Sequence, residues 1–351
     1  MLSKLGKGIN KINIVAKRTK VKLQRTKQQN PIHWGIIGLG TMAHSFSNAL
    51  ELVPDASIIA VASRTKEKAK SFAGKHNIPN SYGNYEEMLS ATDIKLDVIY
   101  IATPTKYHYE HIKMCLENGY SVLCEKPITT NAKELSDLMS IAREKKLFLM
   151  EGMWMKCLPT YQKGLQWAQE GKIGNVQWIR VDLSKNEVVN KDKTTFIKEE
   201  GGGVLLDYGI YATAFPIDFL GKTVEISQCY KNLRESGIDR DWFFVIESED
   251  KKAFVSISSG YQGDRKAVVI GDKGTIEWTA QFNRTNCINR FDQKGEMVES
   301  FKTNYLYDGF EYEIQEVHKC LREGKVESSL VPLEKSLITL ELVDDLWYKA
   351  R

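Results

Sequence analysis

Residues 32–46, IHWGIIGLGTMAHSF, join a short apolar run to a glycine turn and the start of a helix. The run Ile32–Ile37 is rich in β-branched residues and stops at glycine, which is typical of a buried parallel strand. Gly38, Gly40 and Ala43 then fill a G-x-G-x-x-A pattern, in which the second glycine lets a pyrophosphate approach the backbone. We expect a dinucleotide site here rather than an ordinary βα turn, because the glycines lie between a strand and a helix. The predicted site also includes Leu39, Thr41 and Met42.

Strand-like and helix-like segments alternate from Pro31 to about Met150. This alternation predicts βαβ units, a parallel sheet and right-handed crossovers, with ligands bound beyond the carboxyl ends of the strands. The predicted strands are Ile32–Ile37, Ser57–Ala62, Leu96–Ala102, Tyr120–Cys124 and Leu147–Met150. The predicted helices are Lys66–His76, Tyr107–Asn118 and Ala132–Lys145.

The pattern changes after Glu151, where short strand-like runs are separated by turn residues and favour a largely antiparallel sheet. The predicted strands are Val176–Leu183, Thr223–Tyr230, Trp242–Glu247, Ala253–Ser258, Ala267–Ile270, Thr275–Thr279 and Cys287–Phe291. The predicted helices are Thr160–Glu170, one after the glycines at 201–203, Gly309–Glu323 and Leu333–Lys349. The fold class is therefore α/β, with an N-terminal Rossmann parallel sheet at 31–152 and a C-terminal α+β domain with an open sheet at 153–351.

Composition limits the classes of partner that this chain can have. The 351 residues carry a net charge of +4, but residues 1–30 hold seven lysines and two arginines without an acid, so the remainder is slightly acidic. That remainder gives no argument for nucleic acid binding. No apolar run approaches the roughly 20 residues of a membrane span. Six scattered cysteines without C-x-x-C or metal-ligand spacing predict free thiols, a cytoplasmic location and no metal site.

The basic extension at residues 1–30 is open to three interpretations. Leu2, Leu5, Ile9 and Ile12 lie at helical spacing between lysines, which favours a short amphipathic surface helix. The absence of acids is also compatible with an organelle presequence, although scarce serine weakens that interpretation. A solvated tail is the third alternative.

The end of the second predicted strand bears on cofactor choice. An NAD-preferring site usually has an acid there that binds the ribose 2′-hydroxyl. This chain has Ser63 and Arg64 instead. A guanidinium offers a planar set of donors to a 2′-phosphate, so the sequence favours NADP(H), with NAD(H) possible. The alternative is that Arg64 is a solvated residue at the start of the next helix.

Three polar residues are candidates for proton transfer. Lys126 directly follows a predicted strand, where it can donate to a substrate hydroxyl or carbonyl. Asp207 and Tyr211 are four residues apart, so an α-helix would place them on one face. Asp207 could pair with Lys126, and Tyr211 could exchange a proton with a reacting oxygen. Taken singly, each residue also has a structural interpretation, as a strand-end lysine, a helix-terminal acid and a core tyrosine.

Four motifs occur together in this order: GLGTMA at 38–43, ATPTKYH at 102–108, CEKP at 124–127 and GGGVLLDYGIY at 201–211. With this combination the chain resembles the Gfo/Idh/MocA oxidoreductase family from about Ile32 to its C-terminus. The segment EGMWMKCLP at 151–159 and the tyrosine of DYGIY are similar to the branch with dimeric dihydrodiol dehydrogenase and NADP-dependent xylose dehydrogenases.

The resemblance implies roles for individual residues. Lys126 and Asp207 match the family's catalytic lysine and aspartate, and Tyr211 matches the tyrosine of that branch. Lys156 stands where the branch commonly has arginine, and the two side chains bind anions differently. The implied cofactor contacts outside the glycine turn and Ser63-Arg64 are Thr103, Pro104, His108, Glu125, Lys126, Trp154 and Lys156.

We therefore expect an NAD(P)-dependent dehydrogenase acting on a sugar-like or cyclic diol substrate, assembled as a homodimer or homotetramer through its C-terminal sheet. Two other functions stay open. One is a sugar-nucleotide or amino-sugar dehydrogenase of polysaccharide synthesis. The other is a protein that senses NADP(H) without turnover, although such a protein would need only the glycine turn.

Overall fold

A six-stranded parallel sheet organises the first half of the chain. A computed structural model describes residues 30–187, 194–197 and 202–350. The sheet has the order β3-β2-β1-β4-β5-β6, and every pairing in it is parallel. This order brings the carboxyl ends of β1 and β4 together, which is where such sheets bind ligands. The strands are β1 (Ile32–Ile37), β2 (Ala56–Ala62), β3 (Asn80–Tyr82), β4 (Val98–Ile101), β5 (Ser121–Glu125) and β6 (Leu149–Gly152).

Capping residues set the bounds of the helices that connect these strands. Thr65 and Asn131 accept hydrogen bonds from the third residue of their helices, Lys68 and Glu134. Such caps satisfy amide groups that have no partner within the helix. The helices are α1 (Thr41–Leu50), α2 (Lys66–His76), α3 (Tyr85–Leu89), α4 (His108–Glu117) and α5 (Ala132–Lys145).

An eight-stranded sheet organises the second half, in the order β14-β13-β12-β11-β7-β10-β9-β8. Helix α6 (Trp154–Cys157) connects the two halves. Helices α7 (Pro159–Gln169) and α8 (Ile210–Leu220) pack on one face of the second sheet, and the residues on that face are buried. The other face of its central strands is open. The strands are β7 (Val176–Ser184), β8 (Glu225–Leu233), β9 (Asp239–Ser248), β10 (Lys251–Ser258), β11 (Ala267–Gly271), β12 (Gly274–Trp278), β13 (Cys287–Asp292) and β14 (Met297–Lys302).

The last two helices, α9 (Phe310–Arg322) and α10 (Leu333–Lys349), return to the first sheet. Trp34 Nε1 in β1 donates to His318 Nε2 in α9 at 3.0 Å. Ser336 Oγ in α10 donates to Glu151 Oε2 in β6 at 2.6 Å. Helix α10 also packs against α8 and β8, so it contacts both halves of the molecule.

The predicted fold class is confirmed, with two corrections of detail. Strands β3 and β14 and helix α3 were not predicted, and β7 pairs with β10 in parallel inside an otherwise antiparallel sheet. The boundaries at 31–152 and 153–351 stay predictions. The extension at 1–30, apart from its last residue, lies outside the described residues, as does Gly201 of the glycine triplet.

Candidate functional site

The glycine turn after β1 leaves open space at the N-terminus of α1, where a pyrophosphate would lie. Gly38 has a φ of +86°, and a Cβ there would lie 2.6 Å from the Thr103 amide nitrogen, so only glycine fits. A Cβ at Gly40 would meet nothing within 4 Å. Ala43, in the first turn of α1, is fully buried. The N–H groups that begin α1 therefore face an open cradle suited to a dinucleotide phosphate. Leu39 is buried, whereas Thr41 and Met42 are exposed beside the cradle.

The end of β2 presents a cation to the same edge of the sheet. Ser63 is buried, and its amide donates to the Tyr82 carbonyl at 3.3 Å. Arg64 is exposed, and its charge acts on Tyr85 and His111 across the edge. The donor set fits a ribose 2′-phosphate, since a guanidinium binds phosphate oxygens and Ser63 stands where an NAD-preferring site usually has an acid.

Lys126 and Asp207 meet although 81 residues separate them. Lys126 follows β5 at its carboxyl end, and its Nζ lies 3.1 Å from Asp207 Oδ1. The same ammonium also donates to the Asp207 backbone carbonyl. The side chains of Lys126 and Asp207 keep 14% and 30% of their surface exposed, so the pair faces the cleft rather than the core.

Tyr211 completes this group. The centroid of its ring lies 5.5 Å from Lys126 Nζ. Burial raises the pKa of Tyr211 well above its usual value, and the nearby carboxyls of Glu125 and Glu313 raise it further. The hydroxyl therefore keeps its proton at neutral pH and is available as a donor. Trp154 lies beside it and stacks on Phe310 at 4.7 Å between ring centroids.

The backbone that carries Asp207 differs from the predicted α-helix. Residues Leu205–Gly209 form a π-helical turn, and the α-helix begins only at Ile210. Such turns are rare and occur frequently at functional sites. The hydroxyl of Thr195 donates to Asp207 Oδ2, so both carboxylate oxygens are engaged. Asp207 and Tyr211 both lie beside Lys126, and a wider helical turn than the predicted α-helix carries Asp207.

A buried acid network behind the site escaped the sequence analysis. Tyr100 donates to Glu125 Oε1 at 2.5 Å, and Glu313 in α9 lies close enough to Glu125 for their charges to interact. Glu313 is fully buried, and neither of its carboxylate oxygens has a partner among the described residues. Burial raises the pKa of Glu313 well above its usual value, and Glu125 raises it further. A fully buried carboxyl group without a hydrogen-bond partner among the described residues favours its protonated form.

His108 lies between two loops of the site. Its Nδ1 lies 2.8 Å from the Pro127 carbonyl oxygen, and its Nε2 lies 2.8 Å from the Thr103 carbonyl oxygen. Burial lowers the pKa of His108 to about 4, and a neutral ring has one N–H, so it donates to one of these two carbonyls at a time. The side chain is 1% exposed, which supports a role in positioning these loops. Thr103 and Pro104 lie at the carboxyl end of β4, beside Gly38.

Lys156 is paired with a buried aspartate of α8. Its Nζ is 3.1 Å from Asp218 Oδ2, and both side chains are 4% exposed. Asp218 also accepts from Tyr161 and pairs with Lys335. The Lys156 charge is neutralised in a buried cluster, so this geometry does not support the predicted cofactor contact.

Two observations bear on other kinds of site. Between residues 30 and 350, with 188–193 and 198–201 set aside, no helix is both long and apolar enough to cross a membrane. Over the same ranges, no group of three or more His, Cys, Asp or Glu residues is arranged to hold a metal ion.

Comparison with known proteins gives matches over most of the chain. Residues 32–153 match the family model described as "Oxidoreductase family, NAD-binding Rossmann fold", and residues 161–277 match "GFO/IDH/MocA C-terminal domain". The chain is 33% identical to trans-1,2-dihydrobenzene-1,2-diol dehydrogenase of Xenopus tropicalis over 321 residues, covering 89% of this chain and 96% of the relative. The enzyme of the same name from Homo sapiens is 31% identical, with 90% and 96% covered.

A solved structure is similar over almost the whole chain. KijD10, a 3-ketoreductase from Actinomadura kijaniata in complex with NADP and TDP-benzene, is 25% identical and superposes with a TM-score of 0.82. The match covers 92% of this chain and 98% of KijD10.

The protonated state of Glu313 predicts how the stability of the protein changes with pH. An acid whose native pKa is raised stabilises the fold below its unfolded pKa, near 4.5, and this contribution is lost as the pH rises toward the native value. Glu313→Gln keeps the shape of the protonated acid and removes the titration. We expect the variant to gain stability relative to the native protein as the pH rises, by at most about 1.4 kcal/mol per pH unit.

Urea unfolding of both proteins from about pH 5 to about pH 8 measures this difference. Glu110→Gln, at an exposed position of α4, is the control and should show a nearly constant difference. A Glu313→Gln difference that does not depend on pH would contradict the protonated assignment.

Proposed function

Because this chain belongs to the Gfo/Idh/MocA family of NAD(P)-dependent oxidoreductases, we propose that it moves a hydride between NADP(H) and a carbinol carbon of a sugar-like or cyclic diol substrate. The family resemblance predicted from the motifs is confirmed by these matches. One observation carries the proposal: the Lys126 ammonium lies beside Asp207 and Tyr211 at the same sheet edge as the open glycine cradle.

Lys126 is suited to bind the reacting oxygen. An ammonium has three N–H donors, and Asp207 accepts two of them through its backbone carbonyl and Oδ1. In the contacts among the described residues, the third donor is left for a substrate hydroxyl or carbonyl. The nicotinamide, when bound, supplies or accepts the hydride, and Lys126 exchanges the proton at the substrate oxygen.

Tyr211 and Asp207 assist Lys126 in different ways. The Tyr211 hydroxyl stays protonated because of burial and nearby acids, so it can donate to the same oxygen or return a proton to it. Asp207 orients the ammonium through a carboxylate oxygen 3.1 Å away. The residues proposed to hold the cofactor are the glycine turn, Arg64, Thr103, Pro104, Glu125 and Trp154, with His108 positioning two of their loops.

The relatives support two substrate classes. The curated relatives are named for oxidation of a cyclic trans-diol, which favours a free diol or sugar. KijD10 was solved with TDP-benzene, which supports the alternative of a sugar nucleotide. Steady-state assays of cyclic diols, free aldoses and nucleotide sugars with both nicotinamide cofactors separate the two.

The cysteines support a reducing compartment, and we place the protein in the cytoplasm on this ground. All six cysteines are free, and four of them are buried. Disulfides persist mainly in oxidising compartments, so a chain with six unpaired thiols fits a reducing one.

Arg64→Ala tests the choice of NADP(H). The variant should weaken NADP(H) binding by about 1–3 kcal/mol, the value of a hydrogen bond to a charged group, and leave NAD(H) binding nearly unchanged. Titration by nicotinamide fluorescence measures both affinities. Lys70→Ala, at an exposed position of α2, is the control for a lost surface charge. Equal losses for the two cofactors would rule out binding of the 2′-phosphate by Arg64.

Lys126→Met and Tyr211→Phe test the chemical step. Each should lower kcat by about 10²–10⁴-fold, because each removes a positioned proton donor, while NADP(H) affinity stays close to native. The substrate is the best one found in the screen above. Lys133→Met and Tyr348→Phe change the same residue types at exposed positions and should retain activity. Near-native turnover in both site variants would leave only nucleotide binding, which is the sensor alternative.

We also propose that the open face of the second sheet forms a homodimer interface. Trp178 and Phe254 lie on neighbouring strands of this face and stack at 5.0 Å between centroids, although both are exposed. Phe243 and Tyr261 stack nearby on the same face and are also exposed. Exposed aromatic patches of this kind usually mark an interaction surface, and a sheet face can bury the roughly 800 Å² per partner of a standard interface.

Trp178→Glu should convert this dimer to monomer in sedimentation velocity, because it places a charge in the centre of the aromatic patch. Tyr348→Glu, in the last helix and 89% exposed, is the control and should leave the dimer intact. A native protein that is already monomeric, or a Trp178→Glu variant that stays dimeric, would contradict this interface.

A further inference from the structure

We propose that Asp239 is a positioning residue for the reaction: it fixes the loop from which Asp207 projects toward Lys126. This inference rests on the proposed role of the Lys126–Asp207 pair and extends it to a residue 32 positions away from Asp207 in the sequence. Asp239 begins β9, so its backbone belongs to a strand of the second sheet. The loop is Gly203–Leu205, which leads directly into the π-helical turn.

The Asp239 carboxylate binds the loop through well-formed hydrogen bonds. Its Oδ2 accepts from the Leu205 amide at 2.9 Å and from Trp242 Nε1 at 2.8 Å. Asp239 is 2% exposed and Trp242 is fully buried, so water does not compete for these contacts. The Leu205 amide is the first donor of the π-helical turn, which has no partner within the helix. A buried carboxylate therefore occupies the N-terminal end of the Asp207 helix, where a negative charge is favoured.

Gly203 fits closely against the same carboxylate. Its φ is +138°, a conformation that side chains rarely adopt. A Cβ at this position would lie 1.9 Å from Asp239 Oδ1, which is far inside contact distance. The absence of a side chain at Gly203 thus permits Asp239 to approach the loop, and it explains why glycine is needed at this position of the triplet.

The loop passes this constraint to Asp207. The Asp207 amide donates to the Gly203 carbonyl at 3.1 Å, and the Gly203 amide donates to the Thr195 carbonyl at 3.0 Å. The Thr195 hydroxyl in turn donates to Asp207 Oδ2. Asp239 therefore fixes the start of the turn, Thr195 fixes the far oxygen of Asp207, and the near oxygen is left facing Lys126.

Asparagine at position 239 cannot make the same contacts as Asp239. A carboxylate offers only acceptors, whereas an amide has one acceptor oxygen and one donor group. If the amide oxygen replaces Oδ2, the NH₂ group faces the backbone beside Gly203 in place of Oδ1. If it replaces Oδ1, the NH₂ group meets the Leu205 and Trp242 donors. Either orientation displaces the loop, and a displacement of 1 Å at a catalytic group can cost about 10²-fold in rate.

Asp239→Asn is the direct test, with the holoprotein and the best substrate found. We expect kcat to fall by about 10²-fold while the affinity for NADP(H) stays within about twofold, because the cofactor cradle is on the other sheet. Asp241→Asn is the matched control: Asp241 lies two residues on in β9, is equally buried, and binds Arg240, Ser258 and Asn232 instead of the loop. Its kcat should change much less.

Asp207→Asn separates positioning from general destabilisation. If Asp239 acts through Asp207, Asp239→Asn should lower kcat of the native protein but have little further effect in the Asp207→Asn background. Losses that multiply in the two backgrounds would overturn the inference. A fully active Asp207→Asn variant would instead refute the proposed function of the pair, which is a separate result.

Gly203→Ala disturbs the same contact from the side of the loop. It tests the inference if Asp239→Asn does not fold. Its Cβ must displace the Asp239 carboxylate, so it should reproduce the loss of kcat with NADP(H) binding retained. A folded Gly203→Ala variant with native kcat would overturn the inference.

Discussion

The ion pair between Lys126 and Asp207 is the contact on which the site depends. Lys126 belongs to the first sheet and Asp207 to the helix that covers the second, so the pair exists only when both halves have folded and packed. Its 3.1 Å separation fixes the ammonium beside the carboxylate, and partial exposure leaves the ammonium accessible. Helix α10 holds the halves in this relation because it packs against β6 of the first sheet and β8 of the second.

Two acids of the site region, Asp239 and Glu313, are both buried. Burial raises the pKa of Asp239, and the donors from Leu205 and Trp242 offset part of this cost of burying its charge. Glu313 has no such donors among the described residues, and burial raises its pKa well above the usual value. The same burial keeps the Tyr211 hydroxyl protonated. Desolvation therefore favours the protonated forms of Tyr211 and Glu313 behind the cleft. Lys126 lies in front of them, with 14% of its side chain exposed.

The sequence predicts helix boundaries well where residues next to the helix determine them. Helices α2 and α5 begin and end as predicted, since Thr65 and Asn131 are good caps and the chain after each helix turns left-handed at Asn77 and Lys146. Strand β14 was missed because none of its residues is fully buried and its sequence, MVESFK, does not alternate between apolar and polar residues. Strand β3 has only three residues, too few for any periodicity.

Contacts between distant residues could not be read in this way. The pairing of Lys126 with Asp207 was raised by their residue types, and the family resemblance matched both residues to catalytic positions, but the π-helical turn that carries Asp207 has no signal in the sequence. Glu313 did carry a signal, because it lies at helical spacing from the buried Phe310 and Val317, and an acid on an apolar face is unusual. Asp239 carried none, since its partners lie in a loop far away in the chain.

The central claim is that Lys126 and Asp207 act as one unit in the chemical step, and a double-mutant cycle tests it most directly. Single-turnover rates would be measured at saturating NADP(H) for Lys126→Met, Asp207→Asn and the double variant. If the two residues act together, the double variant should be no slower than the slower single variant. Losses that multiply would show that the residues act independently and would contradict this account.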